Sequence, residues 1–270
     1  MYRPPLAKRV PLVLLISLFL AGCASQTTHL PPEEPPRHTI SEFQDERLAY
    51  VPDPWEHFNR SMYRFNYYFD RFLFIPVVKG YETVTPVFFQ NRVSSFFGNL
   101  KEVRNLTNSI LQLKGKESLT TLGRFVTNST IGIGGLFDPA TSFGLLRRDE
   151  DFGLTLGHWG VDSGPYLVMP ILGPSTARDT GGFAADSAMR FGLYSYLDPF
   201  GSTGSPTAIA AGVTTLEAVD QRHQVPFRYY RSGYPFEYYM VRFFYHQKRE
   251  LDIRKAPASG KGPALVPGLF

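Results

Sequence analysis

Cys23 is the only cysteine in the 270-residue chain, so no internal disulfide can form and its thiol is the one sulfur nucleophile available. It directly follows Leu20-Ala21-Gly22, where small side chains before the thiol would let the chain enter the groove of a peptidase. In this context, we expect the thiol to accept a diacylglyceryl group and the chain to be cleaved between Gly22 and Cys23.

The residues before Cys23 have the organisation of an export signal. A basic segment leads into an apolar stretch from Val10 to Leu20, which is too short to span a bilayer, since spanning needs roughly 20 residues. Leu20-Ala21-Gly22-Cys23 then matches the bacterial lipobox. We predict a signal peptide over residues 1–22 and a lipid-anchored chain at the periplasmic leaflet of the cell outer membrane, because Ala24 stands where an Asp would favour inner-membrane retention.

Other residues that could do chemistry form no recognised motif. Ser163 near Asp162 and His158 is the only local arrangement that could serve a lipid-modifying hydrolase. The acidic run 149–151 could be interpreted as a metal site, but it more simply forms a helix N-terminus or a local charge cluster with Arg147-Arg148. We therefore predict no catalytic residue, no metal site and no cofactor.

The charge of the mature chain argues against a nucleic-acid partner. The formal net charge is +4, and Arg3, Lys8 and Arg9 contribute three of these charges. Their removal with the signal peptide leaves the mature chain close to +1, too little to attract a phosphate backbone.

The elements that position these residues are mainly helical. Residues 23–52 are Pro-rich and predict a flexible tether, residues 53–254 predict a single helical domain, and residues 255–270 predict a disordered tail. Apolar residues recur at helical spacing in several segments, and Tyr166 to Leu172 is the best extended candidate. The predicted helices after the first are Ser95–Leu113, Lys116–Asn128, Ser175–Phe191, Thr207–Gln221 and Pro235–Ile253.

The first helix carries one long apolar stripe, and Asp53 with Pro54 predicts its N-terminus. The pattern is compatible with a helix that faces the core or with one that lies at a membrane interface, where aromatic and Arg side chains both fit. The candidate interfacial residues are Trp55, Phe58, Met62, Phe65 and Phe69, with Phe72 continuing the spacing.

The segment from Thr130 to Asp138 mixes glycines with bulky apolar residues. Gly132, Gly134 and Gly135 could allow tight turns or close backbone approach. We hypothesise that they shape or gate a channel, so that Val at Gly132 or Gly134 would impair function in a folded protein. The alternative is that they serve close packing alone.

Several segments together resemble the MlaA (VacJ) family of outer-membrane lipoproteins. The resemblance runs from about Asp53 to about Leu251, and His57 departs from it because the family usually has Gly there. It is carried by DPWEHFNRSMY (53–63), FGNL (97–100), RFVTNSTIGIGGLFD (124–138), EDFGLTLGHWG (150–160), GPYLVMP (164–170) and GPS (173–175).

The resemblance implies a ring-like helical body embedded in one leaflet, with amphipathic helices around a central amphipathic channel. It implies that phospholipid is the transported ligand, taken from the outer leaflet of the outer membrane to maintain lipid asymmetry. It also implies a trimeric outer-membrane porin and the periplasmic lipid carrier MlaC as partners, and no covalent chemistry. A structural envelope lipoprotein and the hydrolase remain the alternatives.

We expect Cys23→Ala to abolish lipid attachment and to leave the protein mislocalised and inactive, because the acyl chains supply the anchor. Metabolic labelling with an alkyne fatty acid, followed by membrane fractionation, checks both effects. A Cys23→Ala protein that sediments with the outer membrane and functions normally would contradict the role given to the lipid.

Overall fold

The computed structural model describes residues 52–197, 206–231 and 236–254, and it confirms a mainly α-helical fold. The signal peptide, Gly22, Cys23, the tether apart from Pro52, and the tail lie outside the described residues. Within the described ranges, no helix combines the length and apolar character needed to cross a membrane. The helices are α1 (Glu56–Phe69), α2 (Ile75–Val84), α3 (Val87–Leu111), α4 (Gly115–Thr130), α5 (Pro139–Ser142), α6 (Phe152–His158), α7 (Ala177–Leu197), α8 (Pro206–Gln224) and α9 (Glu237–Arg254).

The first helix begins two residues later than the sequence predicts. Asp53 does not act as its N-cap, because α1 starts at Glu56 after Trp55. The Asp53 carboxylate instead accepts hydrogen bonds from the Tyr238 hydroxyl and, at 3.0 Å, from Arg242 Nη1. This carboxylate therefore ties the start of α1 to α9.

A five-residue π-helical segment, Asp70–Phe74, joins α1 directly to α2, with no non-helical residue between them. Pro76 lies in the first turn of α2. In a regular α-helix the Pro76 ring would clash with the carbonyl group four residues earlier, that of Phe72. The wider π-helical turn falls at that position and accommodates the proline.

The extended segment predicted over Tyr166–Leu172 is an antiparallel hairpin. Strand β1 (Tyr166–Met169) pairs with β2 (Gly173–Thr176), with Tyr166 opposite Thr176 and Met169 opposite Gly173. The strand therefore ends before Pro170, and Ile171 adopts a φ of 68° in the turn. Helix α7 starts at Ala177 rather than at Ser175, with the Thr176 hydroxyl accepting from the Asp179 backbone N–H at 3.2 Å.

Two asparagines of α1, seven residues apart, pair with backbone groups of β1 and of the turn that follows it. Asn59 donates to the Tyr166 carbonyl at 3.0 Å and accepts from the Val168 N–H at 2.8 Å. Asn66 donates to the Met169 carbonyl at 2.9 Å and accepts from Ile171 N at 2.7 Å. The Asn59 amide thus takes the place of a neighbouring strand and satisfies buried backbone groups, and the Asn66 amide bonds partly buried groups at the turn.

The buried hydrophobic core lies beside this contact and is built mostly of tyrosines. Tyr63 of α1 is fully buried, and its ring makes edge-on contacts with Tyr229, Tyr230 and Tyr238. Its hydroxyl donates to Glu237 Oε1 at 2.7 Å, so the polar end of the ring is also satisfied.

We expect Asn59→Ala to lower the stability of the folded protein by about 3 kcal/mol. The substitution leaves the Tyr166 carbonyl and the Val168 N–H buried without partners, at roughly 1–3 kcal/mol each. Thermal unfolding in detergent, followed by circular dichroism, should show a Tm lower by roughly 5–10 °C. The matched control is Asn91→Ala on the exposed side of α3. Equal melting temperatures for the two variants would disprove the pairing role of Asn59.

Candidate functional site

Helix α3 buries mainly polar side chains, with Phe97 as a buried apolar exception, and exposes many of its apolar ones. The residues that predicted this helix are at most half-buried, and Leu113 just beyond its end is 91% exposed. The buried side chains include Glu102, Asn105, Asn108 and Ser109, which recur at helical spacing. An amphipathic helix of a water-soluble protein has the opposite arrangement. The apolar residues in question are Phe96, Leu100, Val103, Leu106, Ile110 and Leu113.

Helix α4 has the same inverted arrangement. A buried polar stripe consists of Glu117, Thr121, Arg124 and Asn128, spaced 4, 3 and 4 residues apart. The opposite side, here called the outer apolar face, consists of Leu119, Leu122 and Val126, and Leu119 is 71% exposed. Helices α3 and α4 pack against each other as a hairpin, so their contact is made largely by polar groups.

A network of ion pairs holds this hairpin together. Arg124 is 1% exposed, and its Nε lies 2.7 Å from Oε1 of the fully buried Glu102. Its Nη2 lies 3.0 Å from Asp138 Oδ2, and Arg147 reaches the same Glu102 oxygen at 3.1 Å. Asn128 donates to the other Asp138 oxygen at 2.9 Å. Burial of Glu102 and Arg124 is tolerable because each charge has several partners.

The family of the chain follows from a comparison with known proteins. The sequence model of the MlaA lipoprotein family matches residues 51–252, about three quarters of the chain. The chain belongs to the MlaA lipoprotein family.

Individual relatives and one solved structure agree with this assignment. The chain is 43% identical over 129 residues to a protein of Rickettsia prowazekii (strain Madrid E), covering 48% of this chain and 51% of that protein, so it spans about half the length of this relative. It is 36% identical over 177 residues to the intermembrane phospholipid transport system lipoprotein MlaA of Escherichia coli (strain K12), covering 64% and 66%. A solved structure described as the structural basis for maintenance of bacterial outer membrane lipid asymmetry matches with a TM-score of 0.57 and 30% identity, covering 75% of this chain and 100% of that one.

The aromatic stripe of this MlaA-family chain is divided between exposed and half-buried positions. Trp55, Phe58 and Phe65 are each more than 40% exposed, so a core-facing interpretation is wrong for them. Met62 and Phe69 are half-buried, and Met62 packs against the tyrosine core. The exposed aromatic residues are compatible with a helix at the membrane interface, and that position stays a prediction. His57, the departure from the family pattern, is exposed beside them.

The glycine segment forms a compact turn after α4. Gly134 and Gly135 have φ values of 67° and 89°, a conformation that side chains other than glycine rarely adopt. A Cβ at Gly132 would lie 2.3 Å from the Asn128 carbonyl oxygen and 2.5 Å from that of Phe137, and one at Gly135 would meet Asn99 at 2.7 Å. A side chain at Gly132 therefore requires the backbone to shift, which argues against the expectation that Gly132→Val leaves the fold intact. At Gly134 no atom lies within 4 Å of such a Cβ, but the φ of 67° strains any side chain there. The gating hypothesis stays a prediction.

Two residues of the acidic run 149–151 make structural contacts, and Asp149 is exposed. Asp151 caps α6 by accepting from the Leu154 N–H at 2.9 Å, which confirms the predicted helix N-terminus, and Glu150 pairs with Lys114 at 3.0 Å. Burial raises the pKa of Asp151, but the hydrogen bonds and the charge of Arg249 of α9, together with the Leu154 N–H, lower it below its ordinary value. Across the described part of the chain, no three His, Cys, Asp or Glu residues cluster as a metal site would require.

The arginines that precede the acidic run pair with distant elements. Arg147 reaches Glu102 on α3, and Arg148 reaches Glu117 on α4 at 2.9 Å. The predicted local charge cluster is therefore wrong, because both side chains extend across the α3–α4 hairpin instead of along their own segment.

The residues suggested for a hydrolase are not joined into a catalytic arrangement. The Ser163 hydroxyl makes a long contact, 3.5 Å, with the Gly164 carbonyl. Among the described residues no hydrogen bond links it to Asp162 or His158, although a nucleophile and its base need such contact.

Asp138 makes the stability of the hairpin depend on pH. Burial raises the pKa of Asp138, but hydrogen bonds from Thr141, Arg124 and Asn128 lower it further, to about 2 from its ordinary 3.8. The ionised carboxylate therefore stabilises the fold above about pH 4, and this contribution is lost as the pH falls towards 2. We expect Tm to fall less steeply between pH 4 and pH 2 in Asp138→Asn than in the wild type.

Asp162→Asn serves as the control for this titration, because Asp162 is an exposed carboxylate outside the network. Its melting temperature should follow the pH as steeply as that of the wild type. A steep dependence retained in Asp138→Asn would show that another group is responsible.

Proposed function

We propose that this protein is an outer-membrane lipoprotein of an intermembrane phospholipid transport system, which removes mislocalised phospholipids from the outer leaflet and maintains lipid asymmetry. The observation that carries the proposal is the inverted α3–α4 hairpin within a chain of the MlaA family. Two family relatives, in Escherichia coli (strain K12) and Haemophilus influenzae, are named as lipoproteins of such a system.

The physical argument begins with the outer apolar face. Leu119, Leu122 and Val126 would be costly to hydrate at roughly 25 cal/mol per Å² of apolar surface, but acyl chains solvate them without cost. In water the apolar side of such a helix would turn inward, whereas among acyl chains it turns outward. A hairpin with its apolar residues outside and a satisfied polar network inside is suited to the apolar part of a bilayer leaflet.

A phospholipid that leaves the outer leaflet needs a polar route for its headgroup, because an unpaired charge in hydrocarbon costs several kcal/mol. The polar interior of the hairpin supports such a route within the same body, and the Gly134 turn next to it is the candidate gate. We also propose a trimeric porin as the membrane partner and the periplasmic carrier MlaC as the acceptor of the lipid. The anchor at Cys23 would hold the body at the periplasmic leaflet.

Deletion of the gene should raise the amount of phospholipid at the cell surface, measured by treating intact cells with a lipase or an amine-reactive label that cannot cross the outer membrane. Complementation with the wild type should restore the low level. Leu119→Glu with Leu122→Glu should fail to restore it, because two carboxylates on the outer apolar face oppose insertion.

Gln247→Glu, which adds a carboxylate at an exposed polar position of α9, is the matched control and should complement fully. Unchanged surface phospholipid in the deletion strain would refute the transport function. Normal complementation by the double variant would refute the proposed insertion of the α3–α4 hairpin into the apolar part of a leaflet. An intact asymmetry accompanied by envelope fragility would favour the structural lipoprotein.

A further inference from the structure

A cavity of about 520 Å³ lies between the end of α1, the π-helical segment, α2 and residues 228–231. This volume falls within the range of small-molecule sites, roughly 300–1,000 Å³. Its wall combines tyrosine rings with an excess of basic side chains, Arg71, Lys79, Arg228 and Arg231, over acidic ones.

The two carboxylates in the wall already have partners. Asp70 binds Arg222 in a bidentate pair, with N–O distances of 2.5 and 2.7 Å. Glu82 Oε1 lies 2.7 Å from His223 Nδ1. Both carboxylates are therefore bonded to side chains of α8 and to none of the four basic side chains of the wall, although their charges still act on Arg228.

Within the described residues, none of the four basic side chains of the wall forms an ion pair with a carboxylate. Arg228 donates to the carbonyls of Val225 and Phe227 at 2.9 and 3.0 Å, contacts with neutral groups. Burial and the nearby charge of Arg222 lower the pKa of the Arg228 guanidinium, and the charges of Asp70 and Glu82 offset this only in part. Lys79 and Arg231 are exposed at the wall, and neither has an ion-pair partner within the described residues.

Apolar surface continues from the same elements. Phe72 and Leu73 of the π-helical segment and Val77 of α2 are each more than 40% exposed. The Arg71 guanidinium lies 5.7 Å from the centres of both the Tyr67 and the Phe72 rings, so basic and apolar groups meet on this segment. A ligand that suits both must be anionic at one end and apolar at the other.

We propose that this cavity binds the phosphodiester group of a glycerophospholipid, with Lys79 and Arg231 as its principal anion ligands. The acyl chains remain outside, along Phe72, Leu73 and Val77, because a cavity of this volume holds a headgroup but not two long chains. This proposal rests on the proposed function, since the cavity would bind the headgroup temporarily during transport. A soluble phosphate ester has the same anionic chemistry but lacks the apolar end.

The test uses the full-length protein in non-ionic detergent, with acyl-labelled phosphatidylglycerol as the probe and fluorescence anisotropy as the readout. Lys79→Gln with Arg231→Gln should raise the Kd for the probe about tenfold, which corresponds to roughly 1.4 kcal/mol. Dioleoylglycerol, which has the tails without the phosphate, should bind the wild type and the variant equally. The matched control, Lys248→Gln with Arg254→Gln on α9, removes the same charges elsewhere and should leave the Kd unchanged.

Three results would overturn the proposal. The first is equal affinity of the wild type for dioleoylglycerol and phosphatidylglycerol, and the second is an equal loss in the control variant. The third is displacement of the probe by glycerol 3-phosphate as effectively as by unlabelled phosphatidylglycerol, which would assign the site to a soluble phosphate ester. A wild-type protein that lowers surface phospholipid in cells but lacks phosphate selectivity would refute this site alone, whereas a deletion without effect on surface phospholipid would refute the transport function.

Discussion

The ion pair between Glu102 and Arg124 is the interaction on which the arrangement of α3 and α4 depends. With apolar side chains on the outside, burial of hydrocarbon does not draw the two helices together, so attraction between polar groups must do so. Removing one partner of a buried pair costs roughly 3–5 kcal/mol, because the remaining charge is left uncompensated. Asp138 and Arg147 share that charge, and through them the network includes the segments on either side of α5.

Polar contacts of the same kind join several elements that are distant in sequence. The amides of Asn59 and Asn66 attach α1 to β1, and the Asp53 carboxylate attaches it to α9. Such contacts demand specific geometry, whereas apolar contacts tolerate sliding. The fold is thus specified by directional bonds in its interior, while its surface is left free to adapt to a fluid surrounding.

Much of the helix pattern could be predicted from the sequence, because the 3.6-residue period is the same whether an apolar stripe faces inward or outward. For the same reason the direction of the stripe could not be predicted from periodicity alone. The clearest missed signal is on α4, where Glu117, Thr121, Arg124 and Asn128 recur at the spacing of a buried face. The Asn59 and Asn66 contacts and the cavity near Arg228 bring together residues more than 100 positions apart, which no local pattern reveals.

The π-helical segment also changes the angular phase of the helix that runs from α1 into α2. Its buried positions, Asn59, Tyr63, Asn66 and Asp70, would continue at residue 77 in a regular α-helix, but Val77 is exposed and Val78 is buried. The wide turn absorbs one residue, equivalent to about 100° of rotation. Because of this rotation, Asn59 and Asn66 of α1 face the β1–β2 hairpin, and Lys79 of α2 lies in the wall of the cavity.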